Sequence, residues 1–121
     1  MKYIIVCIVV AVIGFIVTPH CYGQGVTVDF YQSQINSKNQ TQVLLMKNYV
    51  KGALDGIQWS NVLLIDNNKE PLYCQPNNFG LGTSNAIQII DHEIKSMPPK
   101  KDLQISLLLL FGLQKAFPCK K

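Results

Sequence analysis

TQVLLMKNYVKGALDGIQWSNVLL, residues 41–64, is the stretch on which the fold turns. Apolar side chains recur at Val43, Met46, Val50, Ala53 and Ile57, and Leu44, Tyr49 and Leu54 widen the stripe. Steps of three and four are the period of a helix with one face against a core. Thr41 stands where a hydroxyl can cap the first turn. Gly52 and Gly56 lie four apart on one face. Each costs a helix interior about 1 kcal/mol, so a close approach of another backbone is expected there. Asp55 sits between them in a mostly apolar segment. It reads either as a carboxylate hydrogen-bonded within the fold, to a backbone group or to Tyr49 or Tyr73, or as a contact for a partner.

The segments that follow repeat the helical grammar. Residues 65–82, IDNNKEPLYCQPNNFGLG, carry two prolines, two glycines and two Asn-Asn pairs and read as a loop. A second helix is expected over 83–97, capped within Thr83-Ser84-Asn85, with Ala86, Ile87, Ile90, Ile94 and Met97 as its stripe. Pro98 and Pro99 end it. A third is expected over 103–117, with Asp102 as its cap. Its sequence, LQISLLLLFGLQKAF, is apolar on most sides. That implies a central position or a second buried face at a homodimer contact. The expected fold is a small all-α bundle of three to four helices.

Ahead of it, Lys2 and the uncharged run Tyr3–Val17 precede a break at Thr18-Pro19 and the segment HCYGQG. A positive start, an apolar middle and small residues before a cut form a secretory signal. Residues 1–23 are therefore expected to leave after Gly23, with Cys21 and Gly23 at the −3 and −1 positions. Fifteen apolar residues fall short of the roughly 20 a membrane-spanning helix needs, and Thr-Pro-His before Cys21 is no lipobox. Contact with a membrane is thus expected only in transit. Residues 24–40 are polar with a brief alternation at Val26, Val28 and Phe30. They read as a short strand or, equally, a mobile or loosely docked N-terminal arm. The single domain is 41–121.

Export changes the cysteine arithmetic. Cys7 and Cys21 depart with the signal, leaving Cys74 and Cys119. A lone pair in an oxidising compartment reads as one disulfide. It would close a loop of 46 residues, for which chain entropy gives roughly 4 kcal/mol. From Gln24 onward ten lysines, no arginine and seven carboxylates are scattered without a basic patch. A nucleic-acid surface would concentrate its charge and use arginine forks, so no nucleic-acid partner is expected.

No catalytic set, metal site or cofactor motif can be assembled. His92 is the one histidine after the signal, in Asp91-His92-Glu93 on a polar helix side. Both remaining thiols are committed to the bridge, which excludes a Cys–His pair. Zinc needs three or four ligands at suitable spacing. Asp91 and Glu93, two residues apart, point to different sides of a helix, unlike a glycosidase pair. The expectation is a non-enzymatic protein that works by binding.

YVKGALDGIQWSN (49–61), CQP (74–76), TSNAIQIIDHEIKSMP and LLLFGLQKAFPC occur in that order. Together they resemble the Rap/Tai family of immunity proteins of bacterial type VI secretion systems, over roughly residues 45–119. The family pattern of Tyr-x-x-Gly-x-x-Asp-Gly, Cys-x-Pro and a terminal Ala-Phe-Pro-Cys falls on Tyr49, Gly52, Asp55 and Gly56, on Cys74 and Pro76, and on Ala116, Phe117, Pro118 and Cys119. The resemblance implies an α-helical, often dimeric periplasmic protein that blocks the cleft of a peptidoglycan amidase injected by neighbouring cells.

An inhibitor of a cleft needs a protruding element with little entropy to lose. The loop QPNNFGLG (75–82), anchored at Cys74, offers Phe79 and Leu81 amid Asn77 and Asn78. It is the candidate toxin contact, and the alternative is a connecting loop whose Phe79 tucks into the core. Two other classes compete with immunity. One is a single-disulfide periplasmic chaperone that exposes LLLLFGL to clients. The other is an accessory subunit of a secretion apparatus.

Overall fold

The computed structural model describes residues 25–96 and 101–120. The expected signal segment, residues 1–23, lies outside them, as does the Pro98-Pro99 break. Four α-helices form an all-α bundle: α1 (Val28–Ile35), α2 (Gln40–Asp66), α3 (Thr83–Ser96) and α4 (Ile105–Ala116). The three helices expected from periodicity are α2, α3 and α4, so the fold class is as expected.

The first helix is a correction. The segment expected to be a short strand, or a mobile or loosely docked arm, instead contains α1, packed into the core. Thr27 caps the helix, its side chain accepting from the Phe30 N–H. Val28 and Tyr31 are buried among the core residues. Just before the helix, the backbone pairs with the stretch leading into α4. Val28 N–H donates to Leu103 O and Ile105 N–H to Val26 O, each at 2.9 Å. The Tyr49 hydroxyl accepts from the Val26 N–H at 3.3 Å, so α2 holds the same strand-like entry. Eight residues carry too short a period to be recognised as a helix, and the partners that dock them lie far along the chain.

Helix α2 begins at a different cap from the expected one. Asn39 accepts from the Thr41 N–H at 3.0 Å, and Thr41 is inside the helix. Its other end closes with Asn68 at φ 53°. Lys69 N–H reaches Leu64 O and Asn68 N–H reaches Ile65 O, which satisfies the last carbonyls of the helix. Asparagine tolerates this left-handed conformation better than most side chains. Met46, Val50 and Leu54 face inward.

Helix α4 occupies the centre, with Ile105, Leu108, Leu109 and Leu113 buried. Its cap position is Gln104, whose side chain does not cap the first turn, and Asp102 is exposed outside the helix. The close helix approach lies here rather than where the sequence suggested. A Cβ built on Gly112 would fall 2.2 Å from Ile89 Cγ2 and 3.1 Å from Glu93 Cγ. A Cβ on Gly52 or Gly56 would meet nothing within 4 Å, so these two face open space. Beside Gly112, Glu93 is buried and its carboxylate takes Lys115 Nζ at 2.5 Å.

Across the bundle, the buried Tyr31 donates its hydroxyl to Asp91 Oδ1 at 3.0 Å. Burial first, and then the Asp91 carboxylate, raises the Tyr31 phenol above the ordinary tyrosine range.

Two outcomes follow from this packing. Gly112→Ala is expected to destabilise the protein by about 1–3 kcal/mol in urea unfolding, as overpacking does. Combining it with Ile89→Ala should cost less than the sum of the two, because the two changes share one space; strict additivity would remove the close contact as the cause. The phenol gives the second outcome. Its folded pKa is raised, so its contribution is complete below the unfolded value of about 10 and is lost as pH climbs above it. Unfolding free energy measured from about pH 9 to 11 should therefore fall more steeply in the parent than in Tyr31→Phe. Parallel curves would refute that linkage.

Candidate binding surface: the fastened loop after α2

The loop between α2 and α3 is held at three points, each by different chemistry. The first is Asn61, a buried amide on α2. Its Nδ2 donates to Tyr73 O at 3.0 Å, and its Oδ1 accepts from Leu72 N–H at 2.6 Å and from Tyr73 N–H at 3.4 Å. One side chain thus replaces a strand partner for the incoming loop. A buried backbone group left without a partner costs about 1–3 kcal/mol, which is the penalty Asn61 removes. No pattern in the sequence distinguishes Asn61, since an asparagine near a helix end reads as a surface residue.

The second point is covalent. Cys74 and Cys119 form a disulfide with S–S 2.05 Å and Cα–Cα 4.9 Å. Cys74 N–H also donates to Phe117 O at 2.8 Å, so the backbone registers the two segments beside the bridge. The pairing is the one the cysteine count implied. The third point is aromatic. The Phe117 ring lies 6.3 Å from Tyr73 and 5.4 Å from Phe79, centroid to centroid. Tyr73 is buried, and that burial raises its phenol above the usual range.

The outer part of the loop projects from this frame. Pro76, Asn77 and Asn78 are exposed. Phe79 N–H turns back to Pro76 O at 3.0 Å, and Gln75 Nε2 donates to Phe79 O, closing a tight turn. Phe79 keeps 39 % of its surface in water while one side of its ring rests against Phe117. It is therefore neither a free anchor nor a core residue. Leu81 differs from its neighbours: it is partly buried against the core, and its carbonyl meets Gln58 Nε2 at 3.5 Å. Of the four candidate contact residues, Asn77, Asn78 and Phe79 form one exposed edge and Leu81 is turned to the core. Beside this edge a groove of about 440 Å³ runs between α2 and the loop, with Val62, Ile65, Pro71, Tyr73, Pro76 and Asn77 among its walls.

The remaining family-pattern residues divide. Tyr49 and Phe117 hold the fold together. Pro118 is exposed beside the bridge. Gly52 and Gly56 are exposed on the outer side of α2. Asp55 corrects the reading of a carboxylate hydrogen-bonded to a backbone group or a tyrosine. It pairs with Lys51 Nζ at 2.6 Å, one turn away on the surface, with 45 % of its side chain exposed. Exposed pairs of this kind contribute at most about 1 kcal/mol. His92 is exposed on its helix, and Glu93 Oε1 lies 3.7 Å from its Nδ1. Among the described residues no three His, Cys, Asp or Glu side chains gather to hold a metal ion. No helix among them is long and apolar enough to cross a membrane.

The chain matches no family model, no curated protein and no solved structure.

Removing the bridge with Cys74→Ala and Cys119→Ala together is expected to lower unfolding free energy by about 4 kcal/mol. Amide exchange should then accelerate across residues 75–81, which depend on the bridge, while Leu72 and Tyr73 stay protected by Asn61. Uniform acceleration over the whole loop would show that the amide does not hold its end independently.

Proposed function

We propose that this protein is a periplasmic immunity protein of the Rap/Tai type, which binds a peptidoglycan amidase delivered by a type VI secretion system and blocks its cleft. The observation that carries the reading is the exposed edge Asn77-Asn78-Phe79 on a loop fastened by disulfide, buried amide and aromatic contacts. A loop already immobilised loses little conformational entropy on binding, so more of each contact appears as affinity. Asparagine amides can both donate and accept, which suits a cleft lined by backbone groups. The ring of Phe79 adds an apolar anchor. The reading includes export by residues 1–23, a binding role without catalysis or cofactor, and the homodimer that the family resemblance implies.

A second reading is favoured by a different observation. The outer side of α2 exposes Leu44, Leu45, Trp59, Val62 and Leu63. A chaperone or accessory binding protein of the periplasm could use such a surface for clients. The two readings differ in stoichiometry: immunity requires one tight partner, and a chaperone requires many weak ones.

The test is capture of type VI amidases from periplasmic extract by the oxidised protein, followed by an assay of peptidoglycan cleavage. One stoichiometric partner whose activity disappears is expected. Asn77→Ala and Asn78→Ala should each weaken that inhibition about tenfold or more, at unchanged thermal stability, because neither side chain supports the fold. Unchanged inhibition in both, and in Phe79→Ala, would remove the loop from the contact. Many substoichiometric clients would favour the chaperone.

A further inference from the structure

Disulfides shut inside a core resist exchange, and exposed ones form the labile and regulatory class. The bridge of this protein stands at the surface. Cys74 and Cys119 are both exposed, although Tyr73 beside the first is buried. Cys74 is also part of the wall of the groove between α2 and the loop, together with Val62 and Ile65 of the helix and Gln75 and Pro76 of the loop. A thiolate entering that groove reaches the bridge without any helix having to move. On the other side of the bond, Cys119 is followed by the exposed Lys120, and residues 116–121 carry no carboxylate. Positive charge beside a sulfur favours the thiolate that leaves when a disulfide is attacked.

We propose that the Cys74–Cys119 bridge is a thiol-exchange latch. A protein dithiol of the Cys-x-x-Cys class enters by the groove, opens the bridge with the helices intact, and switches the Asn77–Phe79 edge from a held to a released state. Control of inhibition by this latch rests on the immunity reading; the exchange itself does not. In the first step the dithiol's thiolate bonds to Cys74 Sγ as the bond to Cys119 breaks, and Cys119 leaves as a thiolate that takes a proton from water. In the second, the dithiol's other thiolate attacks its own sulfur in the mixed disulfide and releases Cys74. Two electrons pass to the bridge, which becomes two thiols, and the dithiol becomes a disulfide.

The distribution of contacts makes the bridge a latch rather than a staple for the whole fold. Neither cysteine belongs to the hydrophobic core. The base of the loop is held without the bridge, because Asn61 bonds to Leu72 and Tyr73. The turn beyond Cys74 has less to rely on. Asn77 and Asn78 are exposed, and Phe79 rests on Phe117, two residues before Cys119. Once the bridge opens, Cys74 N–H to Phe117 O at 2.8 Å and the Phe79–Phe117 ring contact remain between the two segments. Both lie at the surface, where water competes for them, so the turn is held only part of the time. They still bring the two thiols back together, so a disulfide donor of the same class closes the bridge by running the exchange backwards.

The experiment treats the oxidised protein, purified after export, with thioredoxin kept reduced by its reductase and NADPH, near neutral pH and without denaturant. Thiols are counted by maleimide labelling and intact mass. Two thiols should appear at a rate proportional to thioredoxin concentration, with the far-UV circular dichroism unchanged. Amide exchange at Phe79 should become about tenfold faster or more. A rate independent of thioredoxin concentration would mean that the bridge opens only after unfolding, and overturns the latch. Loss of helix on reduction, or unchanged exchange at Phe79, overturns it as well. Thioredoxin whose resolving cysteine is replaced by serine should be trapped on Cys74; trapping on Cys119 overturns entry by the groove. Amidase inhibition is then compared between the two redox forms, and reduction should weaken it about tenfold. Equal inhibition by both forms overturns the control of inhibition, whereas finding no amidase partner counts against the immunity reading and leaves the exchange standing.

Discussion

Helix α4 buries Ile105, Leu108, Leu109, Gly112 and Leu113 on one side and turns Leu107 and Phe111 outward, and covering that inner side organises the molecule. An apolar helix face is stable only when other elements cover it. Here α3 covers one side, closing to backbone contact at Gly112, and α2 covers another. The entry to α4 is paired with residues 26–28, and its exit carries the bridge to Cys74. Each covering element is anchored to a different part of a twelve-residue helix. The order of the chain then follows from geometry. The first and last segments meet at one end of α4, and the middle loop meets the last segment at the other.

The same arrangement produces a rigid edge. Disulfide, Asn61 and the Tyr73–Phe117–Phe79 cluster act on adjacent positions of one loop, so the turn at Pro76–Phe79 is held from both ends. Rigidity of this kind is what a binding loop gains most from. The groove beside it and the apolar outer side of α2 adjoin through Val62, which lines the first and flanks the second.

The glycines show how local and tertiary information divide. Gly52 and Gly56 have the spacing that suggests a close helix approach, yet within one chain they touch nothing. Gly112, without a patterned companion, is the glycine at which two helices meet. A glycine signals that something comes near or that space must stay open; it does not say which neighbour is involved. Asp55 makes the same point with charge. Its apolar context suggests burial, but the helix turns it outward to Lys51, while Glu93, in a more polar stretch, is the carboxylate that ends buried.

Periodicity in the sequence determined the all-α class, the existence of α2, α3 and α4, and the buried character of α4, because the step between apolar residues is a local property. The Cys74–Cys119 bridge is the pairing expected when Cys7 and Cys21 are assigned to the signal segment. The tertiary structure decided the rest. It made residues 28–35 a helix, because Tyr31 finds Asp91 sixty residues away. It made Asn61 a backbone surrogate, because Leu72 and Tyr73 arrive beside it. It left Asn77, Asn78 and most of the outer side of α2 facing water. Contacts between residues distant in the chain depend on where whole elements come to lie, and no window of sequence carries that information.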